Sequence, residues 1–134
     1  MNVIDSIEEI VGKLWQTLSV EGPLDESKII NEIKINNNLF YGAVGWLARE
    51  NKIQKINSNY LLGTTNLTEK VGADAGKVWL VLDTWGEVDA LSISKLARIN
   101  ENDVFLAIGW LAREGKIEGK IIDNKENKIK FWLK

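Results

Sequence analysis

The densest charge in the chain lies at its end. From Lys116 to Lys134 there are six lysines (Lys116, Lys120, Lys125, Lys128, Lys130 and Lys134) against Glu118, Asp123 and Glu126, a local charge of +3. In the last stretch Lys128, Lys130, Trp132 and Lys134 alternate with Ile129, Phe131 and Leu133, so a strand there would put one indole and three ammonium groups on a single face. Such a face can hold a nucleic-acid backbone by counterion release and stack a base on the indole. A plainer alternative carries more weight: the lysines guard an edge strand, and Trp132 packs against the first half of the chain or another chain. Arg49 and Arg113, each followed by a glutamate, fit phosphate ligands and structural ion pairs equally well.

The residue types that are missing exclude more than these admit. The chain has no His and no Cys, which removes Ser-His-Asp and Cys-His nucleophiles and the usual ligand sets of zinc and most transition metals. Carboxylates, Lys, Ser, Thr and Tyr remain for catalysis. Gly12-Lys13 and Gly76-Lys77 lie inside helical patterns without a preceding glycine-rich loop, so neither is a phosphate-cradling motif. Asp25 and Asp89 are explained as helix caps. The expectation is a protein without catalytic residues, cofactor or metal.

The elements that position the candidates follow from a repeat. Sliding the 134-residue chain against itself by 64 positions aligns Gly12 to Lys55 with Gly76 to Gly119 without a gap, and 19 of the 44 pairs are identical. Gly12-Lys13-Leu14-Trp15 falls on Gly76-Lys77-Val78-Trp79, and Gly45-Trp46-Leu47-Ala48-Arg49-Glu50 recurs letter for letter from Gly109 to Glu114. A tandem duplication follows, with domains at residues 1–63 and 67–134 and a boundary in the polar stretch from Gly63 to Thr68.

Within copy one, Ser6 and Glu9 have capping-box spacing, and Ile7, Val11, Leu14 and Leu18 predict a helix near residues 6–20. Copy two repeats the stripe as Val71, Ala75, Val78 and Leu82. Gly22-Pro23 and Gly86 end these helices, a short extended piece surrounds Leu24 or Val88, and Asp25 or Asp89 opens a brief second helix. After the Asn36 and Asn100 turns, Phe40, Val44 and Leu47, or Val104, Ile108 and Leu111, mark the buried stripe of a third helix. Residues 53–56 and 60–62, and residues 117–122 and 128–133, then read as hairpins, the second turning at 123–127. Three helices and a hairpin, twice, make a mainly α fold with small β hairpins (α+β): tandem winged helix-turn-helix domains.

These motifs resemble a family, the small uncharacterised winged helix-turn-helix proteins of archaea and Bacteroidetes, in which a G-K-x-W helix precedes G-W-L-A-R-E-x-K-I. The likeness covers nearly the whole chain, once per copy, where the family's usual form is a single domain. It implies the fold and a place among DNA-binding modules, with no established biochemical activity.

In a DNA-reading winged helix the third helix enters the major groove, so its outward face must offer donors and cations. Copy one offers Asn38, Tyr41, Gly42, Gly45 and Arg49; copy two offers Asn102, Phe105, Leu106, Gly109 and Arg113, with Glu101 and Asp103 at the helix start. Phe105 and Leu106, read as outward, suit protein contact better. Core packing is the expected role of Trp15, Trp46, Trp79 and Trp110, and Gly45 and Gly109 are expected beneath a close neighbour such as a Trp ring.

The formal charge of −2 and a pI near 5.3 give no global attraction to nucleic acid. The longest apolar runs, Val78 to Leu82 among them, are far below the roughly 20 residues of a membrane span. The N-terminal residues show no basic segment followed by an apolar core, which places the protein in the cytoplasm as an expectation. Two partner classes stay open. The reading preferred from the sequence is a nucleic-acid-binding or transcription-related role with double-stranded DNA as partner; the alternative is a protein partner or self-association, in a scaffold. A small-molecule sensor has only the Trp content in its favour.

Overall fold

A computed structural model describes residues 2–123 and 128–134. The first copy contains α1 (Val3–Glu21), β1 (Leu24–Asp25), α2 (Glu26–Ile33), α3 (Asn37–Arg49), β2 (Ile53–Ile56) and β3 (Asn59–Leu62). The second repeats the order as α4 (Thr68–Trp85), β4 (Val88–Asp89), α5 (Ala90–Ala97), α6 (Glu101–Arg113), β5 (Ile117–Asp123) and β6 (Lys128–Leu133). Each copy is a winged helix-turn-helix: three helices and a three-stranded antiparallel sheet, ordered β1-β3-β2 and β4-β6-β5. The short extended pieces at Leu24 and Val88 pair with the hairpins, placing Tyr60 opposite Leu24 and Phe131 opposite Val88. Beyond Asp123, the expected second turn lies outside the described residues.

Local chemistry sets the helix boundaries. Asp25 Oδ1 accepts a hydrogen bond from the Lys28 backbone N–H at 2.9 Å, and Asp89 Oδ1 accepts from Ser92 at 2.7 Å, so both aspartates are the caps that the sequence predicted. Asn36 and Asn100 cap α3 and α6 in the same way, each at 2.9 Å. The first helix differs from expectation. Asn2 is its cap, accepting from Ile4 N–H at 2.9 Å, so α1 begins at Val3 rather than at the Ser6-Glu9 capping box. The Ser6 hydroxyl instead donates back to the Asn2 carbonyl at 3.4 Å.

A single apolar cluster runs through both copies, joined where α3 packs against α6. That contact is closer than side chains permit. A Cβ at Gly45 would fall on the carbonyl of Leu106, and one at Gly109 on the carbonyl of Gly42 and 2.9 Å from the Trp46 nitrogen. The close neighbour expected over these glycines is therefore the opposite helix backbone, not a Trp ring. Trp15 and Trp79 were expected in the core, but they remain 47% and 38% exposed, because among the described residues no element covers the outer flank of α1 or α4. Trp46 and Trp110 are half-buried against the core.

The contacts between the copies are reciprocal, as a pseudo-twofold requires. Arg49 Nε meets Glu114 Oε2 at 3.2 Å, and Arg113 Nε meets Glu50 Oε2 at 3.0 Å. At the periphery the cap Asn2 bridges to Lys120 on the wing of copy two. Its repeat equivalent, Asn66, exchanges hydrogen bonds with the Lys55 backbone on the wing of copy one, at 3.0 and 2.6 Å.

Glycines in helix interiors thus fall into two kinds. Gly109→Ala must push two backbones apart and should destabilise the chain by about 3 kcal/mol or more. A Cβ at Gly12 meets nothing within 4 Å, so Gly12→Ala should stabilise by about 0.5–1 kcal/mol through helix propensity alone. Urea titrations of the two variants check this; shifts of the same sign would contradict the close contact.

Candidate interaction surface

Pairing of α3 with α6 decides which sequence-predicted residues reach solvent. From Phe40 to Gly45 every residue of α3 is buried, because one side faces its own domain and the other faces α6. Tyr41, expected to face DNA, has 8% of its surface exposed; its ring meets Phe40 edge-on at 5.4 Å. Burial, with a hydrogen bond to Glu26, pushes its hydroxyl pKa far above the usual tyrosine value. Phe105 was expected outward and is 1% exposed, packed edge-on against Phe131 at 6.0 Å. Leu106 is half-buried beneath Gly45. Of the expected reading face of α3, Asn38 is half-buried and Arg49 alone is exposed.

Both arginines are engaged across the copies by Glu114 and Glu50, and Arg49 also lies over the Trp110 ring at 5.7 Å. On the second wing, Lys134 Nζ meets Glu118 at 3.6 Å. The Asp89 carboxyl is held below its ordinary pKa of 3.8, first by the Ser92 N–H and further by the charges of Lys128 and Lys130. Trp132 and Lys120 share a hollow of about 260 Å3 with Asn2, Glu118 and Gly119. Lys125 lies outside the described residues. The structure therefore sets Lys130 between Asp89 and Lys120 in the sheet, with Lys128 near Asp89 and with Trp132 and Lys120 sharing the hollow, while Arg49 and Arg113 join the two copies.

Three exposed apolar residues escaped the sequence reading, and a fourth, Leu96, was read with Ile93 and Ala97 as the apolar side of the second helix. Leu80, Trp85, Leu91 and Leu96 stand 60%, 63%, 56% and 44% exposed on α4 and α5. At the repeat-equivalent positions copy one has Gln16, Glu21, Ser27 and Glu32. In copy one Glu21 and Glu32 are close enough to hydrogen-bond, which holds the Glu32 carboxyl above its usual range; Trp85 and Leu96 take their places in the 64-residue register. The 64-residue register alone contains this signal, once outward positions are compared rather than matched.

A description of the winged helix-turn-helix domain DUF2582 matches residues 3–65 and again 67–133. The chain belongs to this family, twice over. The uncharacterized protein MJ1608 of Methanocaldococcus jannaschii is 47% identical over 51 residues, covering 36% of this chain and 71% of that protein. No solved structure matches significantly. Among the described residues, no helix of this tandem winged-helix chain is long and apolar enough to cross a membrane.

Two predictions follow from the charges. Arg49→Glu and Glu114→Arg should each destabilise by about 0.5–1 kcal/mol, while the double variant regains most of the loss, as a double-mutant cycle would record. For Asp89 the folded pKa is depressed, so its stabilisation is present above the unfolded value and lost as pH falls through the folded one. Asp89→Ala should cost about 1 kcal/mol at neutral pH, and urea titrations down to about pH 3 should show the gap to the parent closing.

Proposed function

We propose that this chain is a non-catalytic scaffold acting by protein contact, with a second copy of itself as the first partner through the outward face of α4 and α5. The observation that carries the reading is the divergence of the copies at outward positions, where Gln16, Glu21, Ser27 and Glu32 become Leu80, Trp85, Leu91 and Leu96. Exposed apolar side chains can pair with those of a second copy without charge matching, which is what an isologous pairing needs. The closed α3–α6 contact supports the same reading, since groove entry by either third helix would require the copies to part.

A nucleic-acid-binding role is the second reading, and the hollow shared by Trp132 and Lys120 favours it. There the contacts would be backbone grip and stacking, not base reading. Glu118 beside Lys134, and Asp89 beside Lys128 and Lys130, compete with phosphate for the charges of the wing.

Sedimentation velocity over a concentration series, paired with titration against labelled duplex DNA at low and physiological salt, separates the two. The scaffold expects concentration-dependent association, abolished by Trp85→Glu with Leu96→Glu, the residue copy one carries at both places, and no saturable DNA binding at physiological salt. A chain that stays monomeric and binds duplex with micromolar affinity would overturn it. If Lys128→Gln with Lys130→Gln then lowered the salt slope by about 2, the wing would be the interface.

A further inference from the structure

Equivalent clefts open between the first and third helices of each copy. One, of about 230 Å3, is lined by Val11, Gly12, Trp15, Leu47, Glu50 and Lys52. Its counterpart, of about 320 Å3, is lined by Ala75, Gly76, Trp79, Leu111, Glu114 and Lys116, together with Gly72 and Trp110. Five of the six equivalent pairs are identical in type. They are also the G-K-x-W and G-W-L-A-R-E-x-K positions around which the repeat was found.

Core packing accounts for Leu47 and Leu111 and the inter-copy ion pairs for Glu50 and Glu114, but neither accounts for the glycines. Glycine in a helix interior weakens the helix, yet a Cβ at Gly12 or Gly76 would meet nothing within 4 Å. Both glycines instead form an open floor beside an exposed indole, Trp15 or Trp79. The rim has a definite charge. Glu50 lies between Lys52 at 3.8 Å and Arg113 of the other copy at 3.0 Å. Glu114 lies likewise between Lys116 at 3.4 Å and Arg49 of the other copy at 3.2 Å. One carboxylate between two cations leaves each rim with a single positive charge in excess.

We infer that the two clefts are a duplicated docking site for short acidic peptide segments, each seating one bulky apolar side chain over the glycine, against the indole, and a carboxylate on the cationic rim. The inference rests on the scaffold reading only in taking the partner to be protein. It uses none of Trp85, Leu96 or the second wing, so a failure of self-association leaves it standing and its own failure leaves self-association untouched.

The test uses the full chain, labelled with 15N, and a capped heptapeptide, Gly-Ser-Asp-Phe-Asp-Ser-Gly, as the probe. Saturation is expected at two equivalents, with the indole N–H signals of Trp15 and Trp79 moving. Gly12→Leu should abolish the Trp15 response alone, and Gly76→Leu that of Trp79 alone. Both variants should melt no lower than the parent, because the space they fill is open. Exchanging the peptide's aspartates for lysines should weaken binding about tenfold or more, the loss of roughly one charge-assisted contact. Indoles unmoved at millimolar peptide, binding that survives both glycine substitutions together, or equal affinity for the lysine peptide would each overturn the proposal.

Discussion

Backbone contact between α3 and α6 at Gly45 and Gly109 is the constraint on which the other surfaces depend. A winged helix of about 64 residues buries only some 60% of its unfolded surface and is marginal alone; here the two copies share one apolar cluster instead. Glycine costs about 1 kcal/mol in each helix, and the return is a separation at which two backbones touch and their flanking side chains interlock. The consequence reaches beyond stability. The helix that a DNA-reading winged helix presents to the major groove is, in both copies, part of the core.

The fold was legible because its signals are local. Helical spacing in α1 and α4, the Asp25, Asp89, Asn36 and Asn100 caps, and period-two alternation before Leu133 each act within a few residues, and the repeat supplied two independent instances. What failed was the outward face of the third helix. Periodicity finds the stripe of large apolar residues that faces a helix's own domain. At the α3–α6 contact the backbones meet at Gly42, Gly45 and Gly109, which carry almost no hydrophobic signal. Tyr41 and Phe105 lie beside the stripe and were assigned to solvent, although Glu26 and Phe131 of their own copies reach them. The identical glycines did announce a close approach, but spacing within one copy cannot say that the neighbour is the other copy. The converse error fell on Trp15 and Trp79, whose size suggested burial on a flank that nothing covers.

Duplication within one chain lets symmetry hold where the copies touch and lapse where they do not. The Arg–Glu exchange is kept on both sides of the pseudo-twofold. Elsewhere copy two departs: Ile10, buried in copy one, is replaced by Asp74, 3% exposed, held by Lys70 Nζ at 2.6 Å. Lys70 reaches Asp103 as well, at 3.4 Å, where copy one has Leu39. The hydrogen bond to Asp74 raises the Lys70 pKa further, so the ammonium stays charged. Such networks roughly break even against apolar packing. Their effect here is on identity, because they make the two copies distinguishable to a partner without altering the frame that joins them.

The arginines tie that frame to the clefts. Arg113 belongs to copy two but neutralises Glu50 on the rim of copy one's cleft, and Arg49 does the converse at Glu114. Parting α3 from α6 would free the third helices and, in the same motion, withdraw one cation from each rim, leaving Glu50 with Lys52 and Glu114 with Lys116. A rim with an excess positive charge would become neutral. Groove entry by the third helices and capture of an acidic peptide at the rims thus belong to opposite states of one contact, and the glycines at its centre favour the closed one.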